Sequence, residues 1–457
     1  MGSEEEPARR SPRLVASEQR CRRVLTTFTL LSLLTLLVFC STTWWPHRRG
    51  ASTAWAPLPD AIVLRNRQGI EVHVLSTGAA LHRLLLPDRD GRLADVALGM
   101  DEERAYSDGS SPYFGALVGR FANRIANASF RLDGRTHQLR TNEPGFPGAL
   151  HGGVVGFDKV RWQATRLSPH ALQHRRRGEA VRLRHVSADG EEGFPGQLEV
   201  EVVYTLTEGA TDADGNTHLG ELIQFVTAVT DAPTVVNLAQ HSYFNLAGHG
   251  AGESVLAHEL TLHEASHVLP VDSHRIPTGE FKPVEGTPFD FTKPRRVGEA
   301  IDRVDGPGWR AGYDHCFVLH GLGAAEPEMR PRARVRRRLR SNRTYPSADE
   351  GWWMQTPLPA ATLREPASGR TMEIRTTAPG LQLYTSNFLD GTLRGTKDGA
   401  RYAKYAGVCL ETQSFPDGPN HEVPSESKAP SGTTWPTGVL RPGEQYRHTT
   451  VYRFSAR

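Results

Sequence analysis

The chain has 457 residues, with 54 Lys and Arg against 51 Asp and Glu, so its formal net charge is only +3. Because no basic field extends over the whole chain, the composition argues against a nucleic-acid-binding protein. The four cysteines are too widely spaced for a zinc site and too few for a disulfide scaffold, and we expect the last two to be small buried hydrophobic residues: Cys21, Cys40, Cys316 and Cys409.

The first predicted element is a membrane-spanning helix. Residues 24–45 contain no charged side chain across 22 positions, enough for a helix to cross a bilayer core of about 30 Å. Trp44 and Trp45 end this segment as interfacial aromatic residues do, and more arginines precede it than follow it. The sequence therefore predicts a cytoplasmic basic arm over residues 1–23, a signal anchor over 24–45 and a single-pass type II topology.

This topology would place the rest of the chain in the lumen of the secretory pathway or outside the cell. The sequons that begin at Asn127 and Asn342 are compatible with a glycoprotein in that compartment. The alternative is a cleaved signal peptide and a secreted protein, although a charged leader of 23 residues is long for a signal peptide. We expect contact with the membrane through the N-terminal helix.

From residue 60 onward the dominant hydrophobic period is two. In the segment 196–207, apolar side chains alternate with mostly polar ones, as in a strand with one buried face: Leu198, Val200, Val202, Tyr204 and Leu206. Similar runs are AIVLRN, IEVHVLS, AVRLRHVS, LIQFVTAVT, TMEIRTT, LQLYTSN and YRHTTVYRF. With 44 Gly and 31 Pro and no long run at helical spacing, residues 52–457 are predicted to form an all-β sandwich or barrel.

Two further segments complete this outline. Residues 129–139 read SFRLDGRTHQL, in which Asp133-Gly134 predicts a tight hairpin. Residues 321–351 are charged and contain proline but no strand alternation, so we predict a long surface insertion. Its arginines could hold a phosphate or an acidic glycan, but no glycine-rich cradle lies beside them, and a solvated loop is favoured.

Polar-rich stretches follow several predicted strands, where a sandwich presents its binding loops. They are residues 119–130, 148–162, 237–248 and 312–319. A fifth stretch, residues 407–420, places Glu411 directly after an apolar run that ends at Leu410. Two interpretations of Glu411 remain open: an exposed carboxylate where a strand becomes a loop, or a partly buried group with a raised pKa.

Two histidines in these stretches are candidate functional residues. His241 stands among aromatic residues, where a lone histidine is more often a structural core group than a catalyst. His151 precedes Gly152 and Gly153, which permit either a tight turn or a close approach of the backbone to a ligand. Taken singly, neither histidine identifies an active site.

Together these stretches resemble the signature segments of the aldose 1-epimerase, or galactose mutarotase, family. The matching segments are GRFANRIA, LHGG with the trailing GFDKVRW, QHSYFNLAG, YDHCFVL, PGLQLYTSNFLDG and ETQSFPD. They occur in the order of the family, and the resemblance covers about residues 60 to 457. It implies a large antiparallel β-sandwich, galactose mutarotase-like, whose open groove binds a hexose without a metal or an organic cofactor.

The resemblance also implies roles for individual residues. Glu411 would be the catalytic base and His241 the catalytic acid in opening the ring of an aldose, with the roles reversed on closure. His151 would assist at the ring oxygen. The sugar hydroxyls would be held by Asn123, Arg124, Asp314 and Gln382. The expected protein is an isomerase that interconverts the α and β anomers of a hexose such as galactose or glucose, and that acts as a monomer.

One position departs from the family pattern, and three different functions stay open. An asparagine usually stands shortly before the LHGG histidine, where this chain has Gly148 or Ala149. A glycoside hydrolase could use Glu411 and Asp314 as its two carboxylates, but His241 would then have no role. A membrane-tethered carbohydrate-binding protein without turnover and an epimerase for hexose phosphates are also compatible with the sequence.

Overall fold

A computed structural model describes residues 58–168, 178–211, 215, 217–304, 312–319, 356–421 and 435–457. These residues belong to one compact unit, Pro57–Arg457. The predicted N-terminal arm, the predicted membrane helix and the predicted insertion at 321–351 lie outside the described residues. Among the residues that are described, no helix has the length and apolar character that a bilayer span requires.

The secondary structure is almost entirely strand. Apart from short 3-10 turns, the one helix in the described part of the chain is α1 (Arg104–Ser107). The first fifteen strands are β1 (Ile62–Arg65), β2 (Glu71–Val74), β3 (Leu81–Pro87), β4 (Leu93–Asp95), β5 (Ala116–Val118), β6 (Arg124–Ala126), β7 (Ser129–Leu132), β8 (Arg135–Gln138), β9 (Gly148–Leu150), β10 (Gln163–Leu167), β11 (Gly178–Ser187), β12 (Leu198–Thr207), β13 (Ala210–Thr211), β14 (Thr217–His218) and β15 (Gly220–Thr230). The remaining strands are β16 (Thr234–Val235), β17 (Ala239–His241), β18 (Tyr243–Phe244), β19 (Glu259–Leu262), β20 (His267–Val268), β21 (Lys282–Pro283), β22 (Arg295–Arg296), β23 (Asp314–Val318), β24 (Leu358–Arg364), β25 (Arg370–Thr376), β26 (Gly380–Tyr384), β27 (Val408–Gln413), β28 (Val439–Leu440) and β29 (Tyr446–Ala456).

Two large antiparallel sheets form the sandwich. One has nine strands in the order β10-β11-β12-β15-β29-β25-β24-β19-β22, and the other has six in the order β18-β27-β26-β23-β20-β21. A four-stranded sheet, β1-β2-β3-β4, and five two-stranded pairs complete the described part. The prediction of an all-β fold is confirmed, and the seven additional strand-like runs coincide with β1, β2, β11, β15, β25, β26 and β29.

Residues of both large sheets meet in one hydrophobic cluster. The alternating apolar residues of β12 are all buried, as predicted: Leu198, Val200, Val202, Tyr204 and Leu206. They belong to the same cluster as residues of the six-stranded sheet, among them Leu381, Leu383, Val408 and Leu410. Because residues on one face of each sheet fill this core, the opposite face of the six-stranded sheet remains available for a site.

The predicted hairpin is also present. Strands β7 and β8 pair from Leu132 opposite Arg135, and Asp133 and Gly134 form the turn with φ of 50° and 79°. Positive φ at both central residues is the type I′ geometry that an Asp-Gly pair favours. The hairpin follows β6 directly in the chain.

Candidate active site

Glu411 lies inside strand β27 rather than at its end. The side chains of Val408 and Leu410 join the core between the sheets, and Thr412 Oγ1 lies 2.6 Å from Thr450 Oγ1 in the nine-stranded sheet. Cys409 and Glu411 therefore project from the opposite face, since side chains alternate along a strand. The Glu411 carboxyl is only 2 % exposed, which excludes the interpretation of a solvent-facing carboxylate.

The strand register places three predicted site residues on this face. Gln382 of β26 pairs with Glu411, and Tyr384, one step further along the same face, pairs with both Cys409 and Asp314. The Gln382 side-chain nitrogen donates a hydrogen bond of 2.7 Å to Asp314 Oδ1. Glu411, Gln382 and Asp314, which lie far apart in the sequence, thus form one polar surface across three strands.

His241 is brought against this surface by the short strand β17. Its imidazole is buried, with Nε2 lying 3.6 Å from Glu411 Oε1 and Nδ1 lying 3.7 Å from Cys409 Sγ. Glu411 Oε2 is buried and has no hydrogen-bond partner among the described residues. An unpaired buried carboxylate oxygen is costly, and a ligand hydroxyl would satisfy it.

His151 and Asn123 form a second part of the site, at the ends of β9 and β6. Both have left-handed backbone conformations, with φ of 49° and 62°. The His151 backbone N–H donates to Asn123 O at 2.9 Å, and the Asn123 N–H donates to His151 Nδ1 at 3.1 Å. Because Nδ1 accepts, neutral His151 has its proton on Nε2. The rings of His151 and His241 lie 5.1 Å apart, edge to face.

Gly152 and Gly153 serve the tight turn that follows His151. A Cβ at Gly152 would lie 1.9 Å from the carbonyl oxygen of Gly119, and one at Gly153 would lie 2.3 Å from Glu192 Oε2. Their φ values are 93° and 113°, which side-chain-bearing residues rarely adopt. The close approach is therefore to the backbone of Gly119 at Gly152 and to the side chain of Glu192 at Gly153.

The structure shows what surrounds positions 148–149, where this chain lacks the asparagine that is usual in the family. Gly148 and Ala149 are buried in the short β6–β9 ladder, where they pair with Ala126 and Ile125. Asn142 instead holds this segment, since its side-chain nitrogen donates to the carbonyls of Leu150 and Gly153, each at 2.8 Å. It braces the loop on both sides of His151 but does not replace the absent side chain at 148–149.

Arg124 is held by a residue that sequence reasoning missed. Its Nε and Nη2 donate to the two carboxylate oxygens of Glu143 at 2.7 and 2.6 Å. Burial alone would lower the pKa of Arg124, but the hydrogen bonds and charge of Glu143 raise it. Arg275 also contacts Glu143, at 3.2 Å. The bonds to Glu143 use Nε and Nη2, so Nη1 takes no part in this pair.

Tyr113 was also missed. Its ring lies 4.7 Å from that of His151 and 5.7 Å from that of His241, and Lys159 Nζ lies 5.1 Å from the centre of the same ring. The backbone has φ of 64°, an unfavourable value for tyrosine. Strained residues cluster at functional sites, but strain is invisible in a sequence that reads simply as an aromatic residue before β5.

Burial dominates the protonation of the catalytic candidates. It raises the pKa of Glu411 well above its usual range, with the charge of Asp314 acting in the same direction and that of Arg124 against it. Burial lowers the pKa of His241 to about 4. It also lowers the pKa of His151 well below its usual range and raises that of Asp314. When Glu411 and His241 share one proton, the free site therefore holds it on Glu411.

All seven predicted site residues thus lie around one buried glutamate–histidine pair. Glu411 and His241 form the pair, His151 packs against His241, and Asp314 is hydrogen-bonded to Gln382. The remaining two, Asn123 and Arg124, approach from β6. A site with two adjacent titratable groups and surrounding hydrogen-bonding side chains can move protons on a polar ligand.

Comparison with known proteins adds independent information. Residues 60–453 match the family model of aldose 1-epimerase. The chain is 42 % identical over 386 residues to galactose mutarotase of Bos taurus, covering 84 % of this chain and 91 % of the bovine protein. It is 34 % identical over 397 residues to aldose 1-epimerase of Escherichia coli K12, covering 86 % and 95 % of the two chains. An aldose epimerase homologue from C. elegans has a solved structure that superposes with a TM-score of 0.65 and 26 % identity, covering 87 % of this chain and 98 % of that one.

Proposed function

The chain belongs to the aldose 1-epimerase family, and from this premise we propose that it interconverts the α and β anomers of a hexose such as galactose or glucose. The observation that supports this function best is the buried contact between Glu411 and His241, 3.6 Å apart, with one carboxylate oxygen unpaired among the described residues. A glycoside hydrolase that used Glu411 and Asp314 as its two carboxylates would leave this buried histidine without a role.

We assign the proton transfers as follows. Glu411 accepts the proton of the C1 hydroxyl while His241 donates a proton to the ring oxygen O5, and the C1–O5 bond breaks. The open-chain aldehyde then rotates about C1–C2 and closes on its other face, with the two residues exchanging roles. Positioned acid and base groups each contribute about 10²- to 10⁴-fold. These steps are proton transfers, for which the side chains of the site suffice chemically.

The reactive protonation state contains the same number of protons as the resting one. Moving the shared proton from Glu411 to His241 gives a carboxylate that can accept and an imidazolium that can donate. The ionised pair is less stable in the free site because burial disfavours charge on both groups. A sugar that hydrogen-bonds to Glu411 would compensate for this cost and so promote the reactive state.

The remaining predicted residues would hold the sugar. Arg124 can donate a charge-assisted hydrogen bond to a hydroxyl through Nη1, since its Nε and Nη2 are the atoms that bond to Glu143. Asp314 and Gln382 form a hydrogen-bonded pair on the surface next to Glu411 and can exchange that bond for bonds to adjacent hydroxyls. His151 Nε2–H and the Asn123 side chain lie at the other side, where His151 would assist at the ring oxygen.

Polarimetry of freshly dissolved α-galactose and α-glucose tests the function. The full-length protein should accelerate the approach of optical rotation to equilibrium above the spontaneous rate for at least one of the sugars. If the protein binds these sugars, measured by calorimetry, without accelerating mutarotation, it is a carbohydrate-binding member of the family that lacks turnover.

We also propose, from the sequence, that residues 24–45 anchor the protein in a membrane with the catalytic domain on the lumenal or extracellular side, and that the protein acts as a monomer. One described feature is compatible with this proposed compartment. Asn127, the first sequon asparagine, is exposed in the turn between β6 and β7, where a glycosyltransferase could reach it.

A further inference from the structure

A third buried side chain lies beside the catalytic pair. His241, Cys409 and Glu411 each offer one possible ligand atom, and these atoms all lie within 4.8 Å of one another. Cys409 is a free thiol with no exposed surface. The wide spacing of the cysteines argued against a zinc site, but the fold supplies the two other ligands from different strands.

The separations are close to those in a metal site. Zinc binds nitrogen and carboxylate oxygen at about 2.0–2.2 Å and thiolate sulfur at about 2.3 Å, so neighbouring ligands of one tetrahedral ion lie about 3.3–3.7 Å apart. Cys409 Sγ is 3.7 Å from His241 Nδ1, and Glu411 Oε1 is 3.6 Å from His241 Nε2. Since an ion binds only one ring nitrogen, either Cys409 or Glu411 must turn toward it.

Glu411 can turn without losing a hydrogen bond. Its Oε2 is buried and unpaired within the part of the chain that the structure describes, and its Oε1 lies beyond hydrogen-bonding distance of His241. This unpaired oxygen is a second indication that the position awaits a ligand. A cation and a sugar hydroxyl would satisfy the same atom, so the two would exclude each other.

We propose that His241, Cys409 and Glu411 form an inhibitory site for a thiophilic divalent cation such as Zn²⁺, which binds in place of the sugar and stops turnover. The ligand set of one thiolate, one imidazole and one carboxylate suits zinc and cobalt rather than magnesium or calcium. On binding, the Cys409 thiol and the Glu411 carboxyl, which holds the shared proton in the free site, each release one proton to solvent, and the sulfur, nitrogen and oxygen each donate a lone pair to the ion. The reaction itself needs no such ion.

Cobalt titration tests the site without depending on turnover. Co²⁺ added to the full-length protein should produce a thiolate-to-cobalt charge-transfer band in the near ultraviolet, and galactose should reduce it. Cys409→Ala should abolish the band. Cys409→Val, which fills more of the space left by the thiol, provides a second variant if the first is not folded by circular dichroism. Cys316→Ala is the matched control, since Cys316 is also a buried free thiol of the six-stranded sheet.

Inhibition provides the second readout. The measured quantity is the Zn²⁺ concentration that halves the mutarotation rate, with each variant compared to its own rate without metal. This concentration should rise at least about tenfold in the Cys409 variants. The loss of even an outer-shell partner lowers metal affinity by about 10- to 100-fold, and Cys409 would be a direct ligand. Cys316→Ala should remain as sensitive as the wild type. The proposal is wrong if the wild type shows no charge-transfer band, if the band persists in the Cys409 variants, or if zinc inhibits those variants as strongly as the wild type. An inactive protein that still shows a Cys409-dependent band would refute the proposed function and leave the metal site standing.

Discussion

At the level of single residues, Glu411 and His241 compete for one proton. Burial favours the neutral form of each, so the pair retains a single proton over a wide range of pH. Because the groups are adjacent, their ionisations belong to the pair rather than to either residue. The proposed mechanism requires that the pair hold one proton, since two protons block the base and none leaves the acid without a proton to give.

The first prediction is therefore a bell-shaped pH profile of kcat/KM. The acid limb should lie near the lowered His241 pKa of about 4, below which the pair binds a second proton. The alkaline limb should lie well above the ordinary glutamate value of 4.5, where the pair loses its last proton. Polarimetry at each pH, corrected for the spontaneous reaction, measures the profile. A rate that rises with pH through a single ionisation and shows no alkaline decline would contradict the shared proton.

The second prediction concerns Arg124. Arg124→Ala should lower kcat/KM for galactose by about 10- to 100-fold, with much of the loss in KM, because hydrogen bonds to charged groups contribute about 1.5–3 kcal/mol. Glu143→Gln should produce a smaller loss in the same direction, since it loosens Arg124 without removing it. Arg131→Ala, at an exposed position of β7, is the control and should behave as wild type. Equal kinetics for Arg124→Ala and Arg131→Ala would remove Arg124 from the binding site.

The residues predicted from the sequence stand in local family patterns, whereas the missed residues are identified only by contacts that the fold creates. Glu411, His241 and Arg124 stand in segments with a recognisable family pattern. Glu143 stands before Pro144-Gly145, where a carboxylate reads as an exposed loop residue, and only the fold shows its bonds to Arg124. Cys409 was correctly predicted to be buried, but its 3.7 Å contact with His241 depends on two strands far apart in the sequence.

At the level of elements, the strands themselves were easier to predict than the pairing between them. Alternation identified β12, and the Asp-Gly pair identified the hairpin of β7 and β8, because these signals are local. The register that places Gln382 beside both Glu411 and Cys316 joins segments separated by many residues, and no local pattern specifies it. The sequence could therefore name candidate site residues through the family resemblance, but it could not predict the surface on which they meet.

The third prediction tests the turn after His151. Gly152→Ala should destabilise the protein by several kcal/mol, since a Cβ would overlap the carbonyl of Gly119 at 1.9 Å. Gly145→Ala is the matched control, because its φ of 81° is similarly unfavourable but no atom lies within 4 Å of the added carbon; it should cost only about 1 kcal/mol. Urea unfolding gives both free energies. Equal losses would show that backbone strain, rather than the close approach, requires glycine at 152.

At the level of the whole molecule, the two faces of β27 pack into different buried clusters. The face of β27 with Val408 and Leu410 joins the large core, whereas the face with Cys409 and Glu411 forms the site. Cys409 also packs with Tyr243 and Tyr384 in a second buried cluster, so the candidate site is itself part of the packed interior. The predicted membrane helix concerns a different part of the chain and rests on the hydropathy and arginine distribution of residues 1–49 alone.

The fourth prediction tests the proposed membrane topology, with the catalytic domain on the lumenal or extracellular side. In intact microsomes that contain the full-length chain, added protease should remove only the N-terminal arm and should spare the catalytic domain, because the membrane would shield it. Detergent should make the domain accessible, which serves as the control. Digestion of the catalytic domain in intact vesicles would reverse the proposed topology, and recovery of the protein in the soluble lumenal fraction would support the secreted alternative.

The kcat of the Glu411→Gln variant tests the proposed proton exchange most directly. This substitution keeps the size of the side chain but cannot accept the C1 hydroxyl proton, so kcat for galactose should fall by about 10²- to 10⁴-fold while sugar binding survives. His241→Asn should act similarly, and the double variant should lose far less than the product of the two single losses, since both residues serve one proton exchange. If Glu411→Gln turned over galactose at nearly the wild-type rate, the assigned mechanism would be wrong and Asp314 would become the candidate base.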